Sequence, residues 1–119
     1  MDMLGGGREN EADRESDGYV QGLAVAIVTQ NKDDSGLARV RVRLSWQAEG
    51  EESYWARLAM PMAGGKRGTY FLPEIGDEVL VGFERGDMSH PYIIGALWNG
   101  KQLPPDTNDD GKNDRRLIR

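Results

Sequence analysis

The sequence predicts an all-β protein, a small closed or nearly closed sheet of five strands. Three observations carry that expectation. Sixteen glycines against five prolines in 119 residues mark a turn-rich chain. Apolar and polar residues alternate with period two in the clearest segments, as a half-buried strand requires. Five such segments fall within about 80 residues, separated by turn clusters, and no stretch carries the pattern of a three-turn helix.

Residues 1–18 hold a triple glycine and an acidic polar run whose only apolar positions are Met1, Met3, Leu4 and Ala12. Such a segment cannot bury enough surface to offset its ordering entropy, so a disordered acidic leader is expected. A first strand starts at Tyr19 and runs through Val28, followed by the turn cluster Asn31 to Gly36. From Leu37 to Trp46 the alternation is almost strict: Val40, Val42 and Leu44 take one side, Arg39, Arg41 and Arg43 the other. After the polar loop Gln47 to Ser53, Tyr54, Ala56, Leu58 and Met60 alternate as a third strand until Pro61 ends ladder pairing. Ala63 to Gly76 has four glycines and a proline and reads as a structured loop with a flexible tip at Gly64 to Gly68. A fourth strand opens at Asp77 and Glu78 with Val79, Val81 and Phe83 on its core side, and Arg85 to Asp87 closes it. Pro91 to Trp98 is the fifth, apolar on both sides. An antiparallel OB-fold barrel over residues 19–105 fits best, and an SH3-like barrel is the competitor that pattern alone leaves open.

Composition narrows the function. The chain has no cysteine, which excludes disulfides, thiolate metal sites and a cysteine nucleophile. It lacks both an apolar run long enough to span a bilayer and the basic-then-apolar start of a secretory signal, so synthesis in the cytoplasm without a signal peptide is expected. The net charge of −5 sits mainly in the leader, where six acids face two bases. A dedicated nucleic-acid binder would carry a basic surplus.

Several constellations invite a chemical reading. Arg39, Arg41, Arg43 and Arg57, with Trp46, Tyr54 and Trp55 nearby, resemble the cationic, aromatic face of a single-strand nucleic-acid module, which stands as the alternative function. The plainer reading pairs these arginines with acids across the ladder. Asp106 to Gly111 matches the opening of a calcium loop, but Leu117 stands where its bidentate carboxylate belongs, and Pro104-Pro105 blocks an entering helix. His90 is the sole histidine, and without partners it builds neither a triad nor a zinc site. Glu74, Asp77 and Glu78 have no apolar pocket to separate their pKa values. The expectation is no enzyme, no cofactor and no metal.

Four segments taken in order, RVRVRLSW (39–46), YWARLAMPMAG (54–64), GTYFLPEIGDEVLVGFERGD (68–87) and PYIIGALWNG (91–100) before Pro104-Pro105, resemble the OB-fold domain of contractile-tail spike proteins. That family includes phage baseplate assembly protein V, the phage central spike and the type VI secretion VgrG proteins. The resemblance implies a spike collar joining a hub to a puncturing needle, with residues 106–119 as the linker toward an intertwined β-helix. It implies a homotrimer that meets tail hub, tube and baseplate proteins directly, a needle-tip protein indirectly and a target membrane only through the assembled spike. No nucleic-acid partner follows from it. Because hub, lysozyme insertion and needle strands are not among these 119 residues, an excised fragment or a spike divided among chains is expected. Trp46, Trp55, Tyr70 and Phe71, with Leu117 and Ile118 leading toward the needle, are the candidate interface residues, since aromatics anchor interfaces.

Overall fold

The computed structural model describes residues 18–119, and the leader expected over 1–18 lies outside the described residues except for Gly18. Strands β1 (Ala24–Gln30), β2 (Arg41–Leu44), β3 (Arg57–Leu58), β6 (Glu78–Phe83) and β7 (Pro91–Leu97) form one sheet in the order β2-β1-β6-β7-β3. Two further short strands, β4 (Ala63–Gly64) and β5 (Arg67–Gly68), pair with each other as a separate hairpin. The sheet closes on itself through an antiparallel bridge between Val40, just before β2, and Ala56, just before β3. There the Val40 amide donates to the Ala56 carbonyl at 3.0 Å, and the Ala56 amide returns to Val40 at 2.7 Å.

The ring order decides between the two barrels left open by pattern. Strand β3 lies parallel to β7, with Arg57 opposite Tyr92 and Leu58 opposite Ile93, so the sheet is mixed rather than purely antiparallel. A parallel neighbour requires a crossover connection, here the excursion from Ala59 to Asp77 that carries the β4–β5 hairpin, followed by β6, which lies on the other side of β7. Five strands in this arrangement make an OB-fold barrel.

Alternation sets the core. Ala24, Ala26 and Val28 of β1, Val42 and Leu44 of β2, Val79 and Val81 of β6 and Ile93 of β7 point inward and are buried, joined by Val40 and Ala56 at the seam. Apart from Leu44 these side chains are small or β-branched, which suits a barrel whose interior is only wide enough to be filled by side chains. Trp46, Leu58, Leu72, Phe83 and Met88 pack around this core, partly buried. Register shifts between Val28 and Gln30 in β1, and between Leu80 and Val81 in β6, leave Thr29 and Ile94 without a register partner. Such bulges bend and twist a strand, which helps the sheet curl.

Several boundaries differ from the sequence reading, each for a local reason. Strand β2 starts at Arg41 rather than Leu37 because Ala38 adopts a left-handed φ of 55° and the Asp33 carboxylate holds the Arg39 backbone. The third strand shrinks from the expected Tyr54–Met60 to Arg57–Leu58, since this segment changes partners along its length, from Val40 to β7. Tyr19 makes only a lone bridge to Asp87, and regular pairing waits until Ala24. The tip expected to be flexible at Gly64 to Gly68 is a paired hairpin, and a Cβ on Gly68 would sit 2.4 Å from the Met62 carbonyl oxygen.

Two substitutions test this packing. Leu44→Ala should lower stability by about 2–5 kcal/mol, the usual cost of such a cavity, seen as a lower urea midpoint at unchanged m-value. Gly68→Ala should disrupt the β4–β5 hairpin and leave the barrel folded; retained protection of the hairpin amides against hydrogen exchange would contradict this.

Candidate interaction surface

The arginine stripe is built into the barrel wall. Asp33 sits in the β1–β2 loop with its side chain only 4% exposed. It accepts from Arg39 Nε at 2.7 Å and Arg39 Nη2 at 3.1 Å, and from the amides of Ser35 and Arg39 at 3.0 and 3.3 Å. The Arg39 guanidinium in that fork, backed by the two amides, holds the Asp33 carboxyl well below the usual carboxylate range. Arg41 pairs with Glu52 at 3.4 Å, and Glu52 also accepts from Thr29 at 2.7 Å. Arg39 and Arg41 both lie over the Trp55 ring, 5.5 and 4.8 Å from its centroid, and Arg57 lies 5.8 Å from that of Tyr92.

That arrangement occupies what an oligonucleotide would need. A stacking platform requires an open aromatic face and cations free to track phosphates. Two guanidinium groups cover Trp55, and two of the four arginines are committed to carboxylates. Trp46 packs partly buried against the core, and of the aromatics named with the stripe Tyr54 alone is among the exposed large hydrophobics, at 62%.

The other singled-out groups resolve into turns. Ser89, His90 and Asp87 come together, with Ser89 Oγ donating to Asp87 Oδ1 at 2.7 Å and His90 Nδ1 within 3.1 Å of Ser89 Oγ and 3.0 Å of Asp87 Oδ2. In a triad, histidine bridges the other two through opposite nitrogens; here both meet Nδ1 in an exposed turn, and the Ser89 contacts lower the Asp87 pKa. Asp106 accepts from Arg115 Nε at 2.7 Å and from the Asn108 amide, so the first oxygen of the calcium-like loop pins the tail instead. Among the described residues no group of three or more histidine, cysteine or carboxylate side chains is placed to hold a metal ion. No helix among them is long and apolar enough to cross a membrane.

The remaining feature is a groove of about 1110 Å3 between the β4–β5 hairpin and the barrel, lined by Trp55, Arg57, Tyr70, Phe71 and Tyr92 among others. Tyr70 and Phe71 are 71% and 59% exposed. Tyr92 donates its hydroxyl to Glu84, a bond that raises the phenol's pKa. Leu117 and Ile118 are exposed on the tail, away from the core. The structure thus brings Trp55, Tyr70 and Phe71 to one groove and leaves Trp46, Leu117 and Ile118 outside it. Sequence reasoning missed a second apolar surface. Leu23 and Ile94 meet over Gly82 on the outer face of the sheet, where a Cβ would come within 3.4 Å of both side chains, and Val25 is exposed on β1. The apolar character of both faces of the fifth strand was the available signal.

Comparison with known proteins adds the family context. A model of the type VI secretion system/phage-baseplate injector OB domain matches residues 24–98. The type VI secretion system spike protein VgrG1a of Pseudomonas aeruginosa is 33% identical over 94 residues, 72% of this chain and 15% of that protein. VgrG4b of the same organism is 37% identical over 94 residues, again 72% of this chain and 12% of that protein. VgrG3 of Vibrio cholerae is 32% identical over 80 residues, 64% of this chain and 8% of that protein. The chain therefore spans no more than 15% of the length of these curated relatives.

Two measurements follow. Because folding lowers the Asp33 pKa, its contribution is complete above the unfolded value of roughly 3.9 and fades as pH falls below it. Asp33→Asn should reduce stability at neutral pH and flatten the acid limb of a urea-midpoint profile; a parallel, merely shifted profile would contradict the assignment. Titration with a single-stranded oligonucleotide should leave tryptophan fluorescence unchanged at low salt, and saturable, salt-sensitive quenching would reverse the reading of the stripe.

Proposed function

The chain belongs to the type VI secretion system/phage-baseplate injector OB-domain family, and from that premise we propose that it is a structural part of a contractile injection apparatus: the collar of a central spike, joining a hub to a puncturing needle. The observation that carries this is the match over residues 24–98, which spans the closed ring from its first strand to its last. The surface is in keeping with a connecting part. Its exposed apolar residues, Tyr70 and Phe71 at the hairpin and Leu23, Val25 and Ile94 on the sheet, are of the kind that anchor protein contacts.

In this reading residues 19–105 are the collar and residues 106–119 the linker toward a β-helical needle. Leu117 and Ile118, 47% and 84% exposed, are the first apolar positions after the polar turn and would enter an intertwined assembly. The assembly is a homotrimer, with hub, tube and baseplate proteins as direct partners. The collar has no hydrolytic duty: Glu74, Asp77 and Glu78 lie at the entrance to β6, where Asp77 caps the preceding turn by accepting from the Glu74 amide at 2.9 Å.

Light scattering coupled to size exclusion tests the assembly. Over a wide concentration range the mass should approach three times 13.2 kDa. Changing Leu117 and Ile118 together to Ser should weaken the trimer without unfolding the barrel. A persistent monomer would refute assembly through this chain, and an unchanged trimer in the double variant would remove the two residues from the interface.

A further inference from the structure

The closure of the barrel stops one ladder pair short. Antiparallel pairing that sets Val40 opposite Ala56 would next set Ala38 opposite Leu58. Ala38 instead takes its left-handed φ of 55°, while Asp33 draws the Arg39 amide and guanidinium to itself. Backbone groups along a strand alternate in direction. The Ala56 amide turns to Val40, and the Ala59 amide turns the other way, to the Ile93 carbonyl at 2.9 Å. The Leu58 amide and carbonyl therefore face the side that Ala38 has left. Among the described residues neither has a hydrogen-bond partner.

This vacancy opens into the groove of about 1110 Å3, whose lining includes Leu37 and Ala38 as well as Leu58 and Met60. An unpaired strand edge is a template for another strand, and the surroundings say which kind. Tyr70 and Phe71 are exposed in the groove, and Met60 and Met62 give it an adaptable apolar lining. Arg57, Lys66 and Arg67 line it too, and among the described residues no carboxylate lies within ion-pair distance of them. On β3 itself the exposed Arg57 and the core-packed Leu58 take opposite faces. A strand added beside β3 shares those faces, one toward the cation and one toward the apolar lining.

We infer that the free edge of β3 accepts an extended segment of a partner protein, added as a further strand, in which acidic and apolar residues alternate. Main-chain bonds to Leu58 and burial of the groove's rings carry the affinity, as in other strand additions. The exposed cations add little energy and select the sign of the partner's charge. The inference rests on the unfinished seam and stands independently of the spike reading.

Hydrogen exchange on the full chain tests the edge itself: the Leu58 amide should exchange at least about tenfold faster than the Ala56 amide. Equal protection would show the edge already paired and overturn the proposal. The binding probe is a blocked heptapeptide of alternating glutamate and valine, titrated to about 1 mM at about 0.15 M salt. It should bind saturably and slow Leu58 exchange at least about tenfold. The same peptide N-methylated at its three central residues keeps its side chains but loses the donors, and should bind at least about tenfold more weakly. Tyr70→Ser/Phe71→Ser, at exposed positions outside the core, should weaken binding by a similar factor. No binding, equal binding of the methylated peptide, or equal binding by the double variant would each overturn strand addition in this groove. A lysine–valine peptide that binds as well as the acidic one would overturn the assigned charge. Leu58 protection that grows with protein concentration in the absence of peptide would give the edge to a second copy and overturn the partner assignment.

Discussion

The architecture depends on the hydrogen-bonded seam centred on the reciprocal pair between Val40 and Ala56. It is extended along β2 by Ser53, whose amide donates to the Val42 carbonyl at 2.7 Å and whose hydroxyl accepts from the Val42 amide at 3.1 Å; without these contacts the five strands would be an open sheet with β2 and β3 as edges. Val40 and Ala56 are fully buried, so a bond left unmade while the barrel stays folded would leave its polar groups unsatisfied in the interior. The seam also sets the chemistry above it. It brings Arg39 and Arg41 on one side against Trp55 on the other, and their cation–aromatic contacts cover the junction with a polar layer. At this joint the two arginines nearest the seam, Arg39 and Arg41, are neutralised by Asp33 and Glu52.

Much of this fold is legible in the sequence because burial imposes a period of two. Val42 and Leu44, Val79 and Val81 mark inward positions that any strand assignment must honour. Ring order is different in kind. That β3 runs beside β7 in parallel depends on a connection that passes through a nineteen-residue excursion and the whole of β6, and no local pattern encodes it; the resemblance to contractile-spike OB domains supplied what periodicity left open. Strand ends were lost for a related reason. Ala38 carries no mark of the left-handed backbone it adopts, because the Asp33–Arg39 contacts that impose it cross the loop.

The surface was less legible than the interior. Selecting aromatics took in Tyr70 and Phe71, which are exposed, and also Trp46, which helps to cover the core. Aliphatic exposure was overlooked because Leu23, Val25 and Ile94 lie in apolar runs that resemble buried strand. The bulge at Ile94 accounts for part of this, since it interrupts the alternation that would have assigned that side chain a face.

The position of β7 has a mechanical consequence. The last strand of the chain is not an edge: β6 pairs with it along its whole length and β3 grips its first half from the other side. A pull on the C-terminal segment therefore loads the interior of the ring. Along β7 the ladder bonds lie across the direction of pull and must shear together, whereas an edge strand could be peeled one bond at a time. The barrel is strung so that tension entering at its end is shared between two neighbours before it reaches the seam.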